Sequence, residues 1–386
     1  MANGRRIALF LDGTWNTAND NTNVYRMKSL CAECSDQISY YSAGVGTQHG
    51  ERLSGGMFGY GLDAEVIQAY EWLVDNYSPG DRVFVFGFSR GAFTARSLAG
   101  FISKCGLLKP GAPISLKQLY GRYKKSSAPY TILHLEKMTD ENLSLEDKWL
   151  KKYSMAIPIW FQGVWDTVGA LGVPFGNIPV ISRSNYGFLE TDLRINDARA
   201  YHALAIDEHR EAFAPTLWSK AVVKGAATYP PRSLDDVEQR WFAGAHADVG
   251  GGYENGLLAQ IPLRWLMQKA RIHGLTFKNM VVMDGDEIRA DIHDSFKDMA
   301  GGIYRSLKLF QPYFRPIGRA PIVSGDAATT MINETIDGSV FDRWRKDSGY
   351  RPANLVAWAK RHSVDVATLQ KSVRADDLTQ VPDCSG

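Results

Sequence analysis

The sequence predicts an α/β fold in which a mostly parallel sheet carries helices on both of its faces. Two observations lead to this prediction. Between Arg5 and Ile102, short apolar segments alternate with segments of helical periodicity, an order typical of parallel sheets with helical connections. The apolar segments, such as Val83 to Phe86, are rich in aromatic and β-branched residues, as buried strands are.

The first part of the chain contains short apolar strands that are each followed by a segment of helical spacing. The predicted elements, in chain order, are a strand at residues 5–11, a helix at 24–34, a strand at 38–41, a glycine-rich loop at 54–61, a helix at 62–77, a strand at 83–86 and a helix after residue 89. The turn Pro79-Gly80-Asp81 separates the second helix from the third strand.

The later part of the chain is less regular, and no domain boundary is visible in its composition. We expect a catalytic domain over residues 1–300, with a C-terminal extension over 301–386 packed on it. The predicted elements are a polar, Lys-rich helical insertion at about 107–155, a strand at 157–165, a helix at 197–206, two core strands at 213–218 and 240–244, and a helix at 257–273.

Composition excludes several classes of function. A formal net charge of +2 over 386 residues provides no electrostatic basis for nucleic acid binding. No apolar run reaches the ~18 residues that a membrane-spanning helix needs. The apolar stretch Ile7 to Leu11 is shorter than the ~7–15 residues of a signal-peptide core. We therefore expect a cytoplasmic protein or one exported by a Sec-independent route.

The four cysteines are too sparse for a disulfide scaffold. Cys31 and Cys34 form a C-x-x-C pair, which is found at redox and zinc sites. Because no second pair completes a zinc ligand set, we interpret them as ordinary half-buried cysteines and predict no metal and no cofactor.

The chain is organised around a G-x-S-x-G pattern formed by Gly87, Ser89 and Gly91. An apolar strand precedes it and a helix follows, which predicts a sharp strand-to-helix elbow that exposes Ser89 Oγ as a nucleophile. The backbone N–H of Arg90 then faces a developing oxyanion at the start of the helix. The structural alternative is a glycine-rich turn in which the serine caps the helix.

A serine nucleophile needs a general base, and that base needs an orienting carboxylate. In a parallel sheet these partners lie on loops after the strands. We therefore predict His246 as the base and Asp166 as the acid, since each directly follows an apolar strand. Other candidates rank below them because their context is a helix or a local turn; these secondary candidates are His202, His209, His293, Asp207 and Asp248.

A second oxyanion donor is expected on the loop after the first strand, where Gly13 and Thr14 stand. The neighbouring Asp12 carboxylate is expected to point away from the oxyanion, towards backbone N–H groups or Arg90.

Residues 10–14 also resemble a D-x-D-G-T phosphatase loop. Phe10 occupies the position of that nucleophilic aspartate, which disfavours phosphoryl transfer. Residues 54–61 lack the G-K-[ST] of a phosphate-binding loop.

Six motifs in order resemble the α/β-hydrolase domain of the type VI secretion phospholipase effectors. They are LDGTWN at residues 11–16, GVGT at 44–47, GFSRGAFTAR at 87–96, GVWDTVG at 163–169, HALA at 202–205 and AHADVGGG at 245–252. The resemblance implies an α/β-hydrolase-like fold, and it places a catalytic triad on Ser89, Asp166 and His246. It further implies ester hydrolysis of phospholipids by some members. A later family motif usually has histidine where this chain has Asp337.

The sequence thus predicts a serine hydrolase that cleaves carboxylic esters, with a phospholipase or lipase favoured. The alternatives are a general carboxylesterase and a non-catalytic interaction protein on a hydrolase scaffold. Expected partners are an ester or phospholipid substrate and a membrane surface contacted peripherally. If the chain is an effector, they also include a secretion apparatus or an immunity protein.

Overall fold

A computed structural model of the protein describes residues 4–13, 18–44, 57–125, 130–169, 199–223, 232–298, 311–318, 322–324 and 327–381. The strands are β1 (Arg6–Leu11), β2 (Gln37–Ser42), β3 (Arg82–Phe88), β4 (Leu107–Leu108), β5 (Ser154–Met155), β6 (Ile159–Trp165), β7 (Ala200–Ala205), β8 (Ser219–Val223), β9 (Val237–Phe242), β10 (Ile322–Ser324), β11 (Ala327–Met331), β12 (Glu334–Ile336) and β13 (Val373–Arg374).

The α-helices within these residues are α1 (Asn23–Leu30), α2 (Met57–Asn76), α3 (Arg90–Cys105), α4 (Leu116–Lys124), α5 (Ile132–Lys137), α6 (Leu145–Tyr153), α7 (His246–Gly250), α8 (Gln260–Ile272), α9 (Ser295–Asp298), α10 (Gly338–Lys346) and α11 (Ala353–Arg361). Short 3₁₀ helices occupy Ala18–Asp20, Asp140–Asn142, Glu211–Phe213, Asp286–Arg289 and Val366–Thr368.

The main sheet has eight strands in the order β13-β12-β9-β7-β6-β3-β1-β2. Neighbouring strands run parallel, except for the antiparallel pair of β12 and β13. The predicted fold class, a mostly parallel sheet with helices on both faces, is confirmed. Because the central strands are parallel, their carboxyl ends meet at one edge of the sheet, where loops can bring distant residues together.

Both faces of the sheet are buried, as the alternation within β1 shows. Leu9 faces a core that contains Leu73 of α2 and Leu98 of α3. Phe10 faces the opposite core, which contains Leu266 of α8. Strands buried on both faces are expected to be apolar throughout, which explains why this sheet was visible in the sequence as short apolar runs.

The segment predicted as a helical insertion contains α4, α5 and α6 together with the antiparallel pair of β4 and β5. It packs on α3 through aromatic side chains, since the rings of Tyr120 and Tyr123 lie 5.2 Å and 5.4 Å from the ring of Phe101. Both tyrosines are buried members of a core cluster.

The segment after residue 300 contributes β12 and β13 to the main sheet, next to β9. A third apolar core joins this edge to α10 and α11, with Trp241 and Trp358 among its fully buried members. The domain boundary at residue 300 stays a prediction, but this part of the chain shares a sheet with the residues before it.

Two predicted elements are wrong. Residues 197–206 were expected to form a helix, and the structure has strand β7 there, hydrogen-bonded between β6 and β9. Its sequence, AYHALA, has good helix formers, but it is buried throughout in the middle of the sheet. The tertiary position outweighs local propensity at this point.

The second error concerns residues 213–218, which were expected to form a core strand. The chain instead leaves a 3₁₀ helix at Phe213 and runs irregularly past Pro215, which lacks an N–H donor. The strand begins at Ser219 as β8, and it belongs to a separate three-stranded sheet with β10 and β11. The remaining predicted elements agree in type with the structure, within a few residues at their ends. In the predicted loop at 54–61, residues 57–61 already belong to α2, and residues 54–56 lie outside the described residues.

Candidate active site

Ser89 stands at a sharp turn between β3 and α3. Its backbone dihedrals, φ +57° and ψ −121°, place it in a conformation that few residues other than glycine adopt. A Cβ atom at Gly87 would lie 2.4 Å from the carbonyl oxygen of Gly91, and one at Gly91 would lie 2.2 Å from the carbonyl oxygen of Leu11. The turn therefore requires glycine on both sides of the serine, as the G-x-S-x-G pattern predicts.

Ser89, His246 and Asp166 form one continuous hydrogen-bonded series. Nε2 of His246 lies 2.8 Å from Ser89 Oγ, and Nδ1 of His246 lies 2.5 Å from Asp166 Oδ2. The three side chains come from the ends of β3, β9 and β6. The structure thus brings together the three residues that sequence reasoning selected, in the geometry that a nucleophile, base and acid need. Their catalytic roles stay predictions.

Asp166 is the fully buried end of the series, and its φ of +37° lies in the left-handed region. Oδ1 accepts the backbone N–H of Ala205 over 3.0 Å. Arg315 donates to both carboxylate oxygens. Burial raises the pKa of Asp166, but the charge of Arg315 and the bond from His246 outweigh burial and hold that pKa well below its ordinary value. Asp166 is therefore ionised across the physiological range.

His246 is the first residue of α7 and is packed tightly at this edge of the sheet. Its ring lies 4.6 Å from the ring of Phe88 and 5.0 Å from that of Phe213. Burial lowers the pKa of His246, although its bond to Asp166 and the charge of Asp166 act in the opposite direction. A base with a lowered pKa is neutral near pH 7, the form that accepts a proton.

Glu208 supports His246 from the backbone side. Oε2 of this fully buried carboxylate accepts the backbone N–H of His246 over 3.3 Å and the hydroxyl of Ser295 over 2.9 Å. Arg210 donates Nη2 to the same oxygen over 2.7 Å. Burial raises the pKa of Glu208, but Arg210 outweighs burial and lowers it to about 2. Glu208 therefore carries a compensated negative charge beside His246.

The predicted oxyanion donors are only partly described. Arg90 is the first residue of α3, so its backbone N–H lies at the positive end of that helix. The N–H of Gly13 donates to Asp12 Oδ1 over 2.8 Å. Asp12 Oδ2 accepts the hydroxyls of Thr22 and Tyr41 over 2.6 Å and 3.1 Å, so this carboxylate ties the loop to its surroundings. Residue 14 lies outside the described residues.

The secondary candidates are engaged elsewhere. His202 lies fully buried on β7, where Nε2 accepts the backbone N–H of Thr167 over 3.0 Å; burial lowers its pKa to about 3. Asp207 accepts the N–H of Gly244 over 2.7 Å. Asp248, the rival acid, holds the Nδ1 of His293 at 2.7 Å.

Neither Arg315 nor Glu208 was identified from the sequence as a site residue. Arg315 stands 149 positions after the carboxylate that it binds, in a loop-rich segment without a recognisable motif. No local signal could have identified it, because its environment is created by the sheet. Glu208 had one weak signal, since it follows β7 directly, but residues 197–206 were interpreted as a helix.

Within the described part of the chain, no group of three or more His, Cys, Asp or Glu side chains is arranged to hold a metal ion. Cys31 is buried and Cys34 is exposed, and each thiol has its own partner, Gln37 and Asp36 respectively. Burial raises the pKa of Cys31 to about 12, which suits an unreactive thiol. In the same described residues, none of the helices is sufficiently long and apolar to span a bilayer.

Three known proteins are similar to this chain. The chain is 30% identical over 235 residues to an uncharacterised protein of Saccharomyces cerevisiae, YEL023C, and the match spans about a third of that relative, 32% of its length. The solved structure of the Tle1 effector bound to the VgrG spike from the type 6 secretion system is 14% identical, with a TM-score of 0.43, covering 86% of this chain and 92% of that one.

A third similarity is to the peroxisomal α/β-hydrolase Lpx1 from Saccharomyces cerevisiae, which is 12% identical with a TM-score of 0.30, covering 80% of this chain and 86% of that one. The model of the family described as T6SS, phospholipase effector Tle1-like, catalytic domain matches residues 5–269, which include the ends of β3, β6 and β9. The chain therefore belongs to the family of type VI secretion phospholipase effectors with a Tle1-like catalytic domain.

Proposed function

We propose that this protein is a serine hydrolase that cleaves carboxylic esters, with phospholipids as its substrate class. The observation that carries the proposal is the unbroken hydrogen-bonded series from Ser89 Oγ through the imidazole of His246 to Asp166. The phospholipid assignment rests on family membership, because the family is described as phospholipase effectors.

The geometry supports acyl transfer in two steps. Ser89 Oγ attacks the ester carbonyl while Nε2 of His246 takes the hydroxyl proton, and Asp166 holds the resulting imidazolium through Nδ1. Collapse of the tetrahedral intermediate breaks the ester bond, and the imidazolium donates its proton to the leaving alcohol oxygen. Water then attacks the acyl-serine with His246 again as base, which releases the carboxylic acid and restores Ser89.

The developing oxyanion needs donors at the start of α3. We assign this role to the backbone N–H of Arg90, joined by the loop after β1, where Gly13 and Thr14 stand. The N–H of Gly13 donates to Asp12 in this structure. Its participation therefore requires that bond to be exchanged for a bond to substrate. Removing one donor of this kind costs on the order of 10²–10³ in kcat.

Membership of a family of secreted effectors also suggests partners beyond the substrate. We propose peripheral contact with a membrane surface, which presents phospholipid to the enzyme. A secretion apparatus and an immunity protein are proposed partners on the same basis, with Sec-independent export as the route. The mechanism requires no metal ion or cofactor, because Ser89 supplies the nucleophile, His246 carries both proton transfers and Asp166 orients the imidazole.

Active-site labelling combined with product analysis tests the proposal. A fluorophosphonate probe should label the wild-type protein at Ser89, identified by peptide mapping, and should fail to label Ser89→Ala. Phospholipid vesicles should yield free fatty acid and lysophospholipid with the wild type only. A folded wild-type protein that takes up no label would contradict the proposal.

Two other outcomes separate the alternatives. Turnover of short soluble esters without any release of fatty acid from phospholipids would favour a general carboxylesterase. If Ser89→Ala leaves every activity of the protein unchanged, a non-catalytic interaction protein on a hydrolase scaffold is favoured.

A further inference from the structure

Arg315 lies beyond the residues that the family model matches, yet its guanidinium reaches the centre of the candidate site. The side chain is fully buried and comes from the irregular segment 311–318. Nη1 lies 2.6 Å from Asp166 Oδ1, and Nη2 lies 2.9 Å from Asp166 Oδ2. One planar cation therefore holds both carboxylate oxygens, a geometry that fixes the orientation of the carboxylate as well as its position.

The guanidinium is itself anchored by backbone carbonyls. Nη1 also donates to the carbonyl of Ala205 over 2.8 Å, and Nη2 donates to the carbonyl of Phe213 over 2.5 Å. The carbonyl of Arg315 accepts Nδ2 of Asn354 over 3.1 Å, and the same Nδ2 donates to Ile206 over 2.9 Å. Arg315 thus joins the ends of β6 and β7 to α11, so its orientation is preorganised.

We propose that Arg315 is a positioning residue for the Ser89–His246–Asp166 series. It holds the Asp166 carboxylate against Nδ1 of His246 and balances the buried negative charge. Asp166 Oδ2 accepts from His246 and from Arg315 together, so the orientation of the carboxylate sets the orientation of the imidazole. The inference rests on the proposed function for its activity readout, but its electrostatic readout needs no substrate.

The electrostatic consequence has a definite sign. With Arg315 present, the imidazole faces a carboxylate whose charge is largely compensated. Without Arg315, the uncompensated carboxylate stabilises the imidazolium, so the pKa of His246 rises; an opposite charge within contact distance shifts a pKa by roughly 1–3 units. Glu208 and Arg210 also act on the pKa of His246, and the substitution removes neither of them. The rise is therefore attributable to the loss of Arg315.

The test uses Arg315→Gln and Arg315→Lys in the full chain, with Arg122→Gln as a matched control. Arg122 is a buried arginine on α4, and its ion-pair partners, Glu146 and Asp147, lie on α6 rather than in the candidate site. The pKa of His246 is measured by NMR of ¹⁵N-histidine-labelled protein, with His246→Asn identifying the resonance. We expect Arg315→Gln to raise the pKa of His246 by about one unit or more. In Arg315→Lys and in Arg122→Gln, the pKa of His246 should equal that of the wild type.

Activity provides the second readout. The acid limb of the pH profile of kcat/KM should move to higher pH in Arg315→Gln by the same amount, because that limb reports the base of the free enzyme. Per site titrated with fluorophosphonate, kcat should fall on the order of 10²-fold in Arg315→Gln and less in Arg315→Lys. KM should change little, since Arg315 faces Asp166 rather than the hydroxyl that attacks the substrate.

The proposal is overturned if Arg315→Gln leaves the pKa of His246 unchanged or lowers it. A fall in the number of titratable sites with normal kcat per site would show a purely structural role and would also overturn it. If Arg315→Gln does not fold, the test rests on Arg315→Lys. A kcat of Arg315→Lys equal to that of the wild type would contradict the positioning role. If the wild type hydrolyses no ester and takes up no label, the proposed function fails. The NMR comparison still tests whether Arg315 controls the pKa of His246.

Discussion

The backbone N–H of Ser89 donates to the carbonyl oxygen of Trp165 over 3.1 Å. Trp165 is the last residue of β6 and directly precedes Asp166. This one hydrogen bond therefore holds the turn at Ser89 next to the loop that carries Asp166. The register of the two parallel strands is the reason, because Phe88 at the end of β3 is paired with Trp165. The hydroxyl and the carboxylate therefore lie at the same sheet edge, and His246 bridges them from the end of β9.

Replacement of Ser89 by alanine should remove ester hydrolysis while leaving the fold intact. We expect kcat to fall by several orders of magnitude, because the nucleophile is lost. The matched control is Ser97→Ala, since Ser97 is a buried serine on the same helix whose hydroxyl has no hydrogen-bond partner in the described part of the chain. Kinetics with titrated sites should show Ser97→Ala near wild-type activity. Equal losses in the two variants would contradict the nucleophile assignment.

Asp166→Asn should lower kcat on the order of 10⁴-fold, because an amide cannot hold the productive tautomer of His246. It also leaves the buried guanidinium of Arg315 facing a neutral group, so we expect a lower melting temperature. The comparison variant is Asp248→Asn, whose carboxylate contacts His293 rather than His246. Steady-state kinetics should show a far smaller loss for Asp248→Asn, and the reverse order would identify Asp248 as the acid.

Asp207 should make the protein less stable as the pH rises. Burial raises its pKa to about 6, from an ordinary value of 3.8, although the N–H of Gly244 opposes that rise. A carboxyl with a raised pKa in the folded state binds its proton more tightly there than in the unfolded chain. Its contribution to stability is therefore complete below about pH 4 and is lost as the pH passes through 6.

Asp207→Asn removes that titration while preserving the shape of the side chain. The free energy of unfolding of Asp207→Asn minus that of the wild type should increase between pH 4 and pH 7, by on the order of 2 kcal/mol. Denaturant or thermal unfolding of both proteins across this range measures the difference. Stability curves that run parallel from pH 4 to pH 7 would contradict the prediction.

Gly250→Ala should disturb the candidate site without altering Ser89, His246 or Asp166. A Cβ atom at this position would lie 1.9 Å from a ring carbon of Phe88, whose ring packs against His246. Displacing Phe88 should lower stability by about 1–3 kcal/mol and reduce kcat. Gly121→Ala on α4 is the control, because a Cβ there has no neighbour within 4 Å. Thermal unfolding should show Gly121→Ala at or above wild-type stability, since alanine favours a helix.

The parts of the site that could be predicted are those whose signal is local. The elbow around Ser89 needs glycine at fixed positions because backbone atoms approach closely there, so its pattern is visible within five residues. Asp166 and His246 were found by position, since each directly follows an apolar strand. The sheet itself was predictable because buried parallel strands are apolar on both faces.

The errors arose where a local pattern had two readings. AYHALA suits a helix by propensity, and only its insertion between β6 and β9 makes it β7. The same error explains why Glu208 was missed. A residue that follows a helix is not expected at the carboxyl edge of the sheet, whereas a residue that follows β7 is. Tertiary hydrogen bonding outweighs helix propensities, which differ by only ~0.7 kcal/mol per residue among ordinary residues.

The sequence by itself determined the strand-to-helix elbow at Ser89, the parallel α/β architecture and the chain order of Ser89, Asp166 and His246. The tertiary structure alone decided that Arg315 reaches Asp166 across 149 positions and that Glu208 lies beneath His246. The physical reason is that strand and elbow patterns arise from neighbours along the chain. The charge balance of a buried carboxylate depends on which distant segments the folded sheet brings into contact.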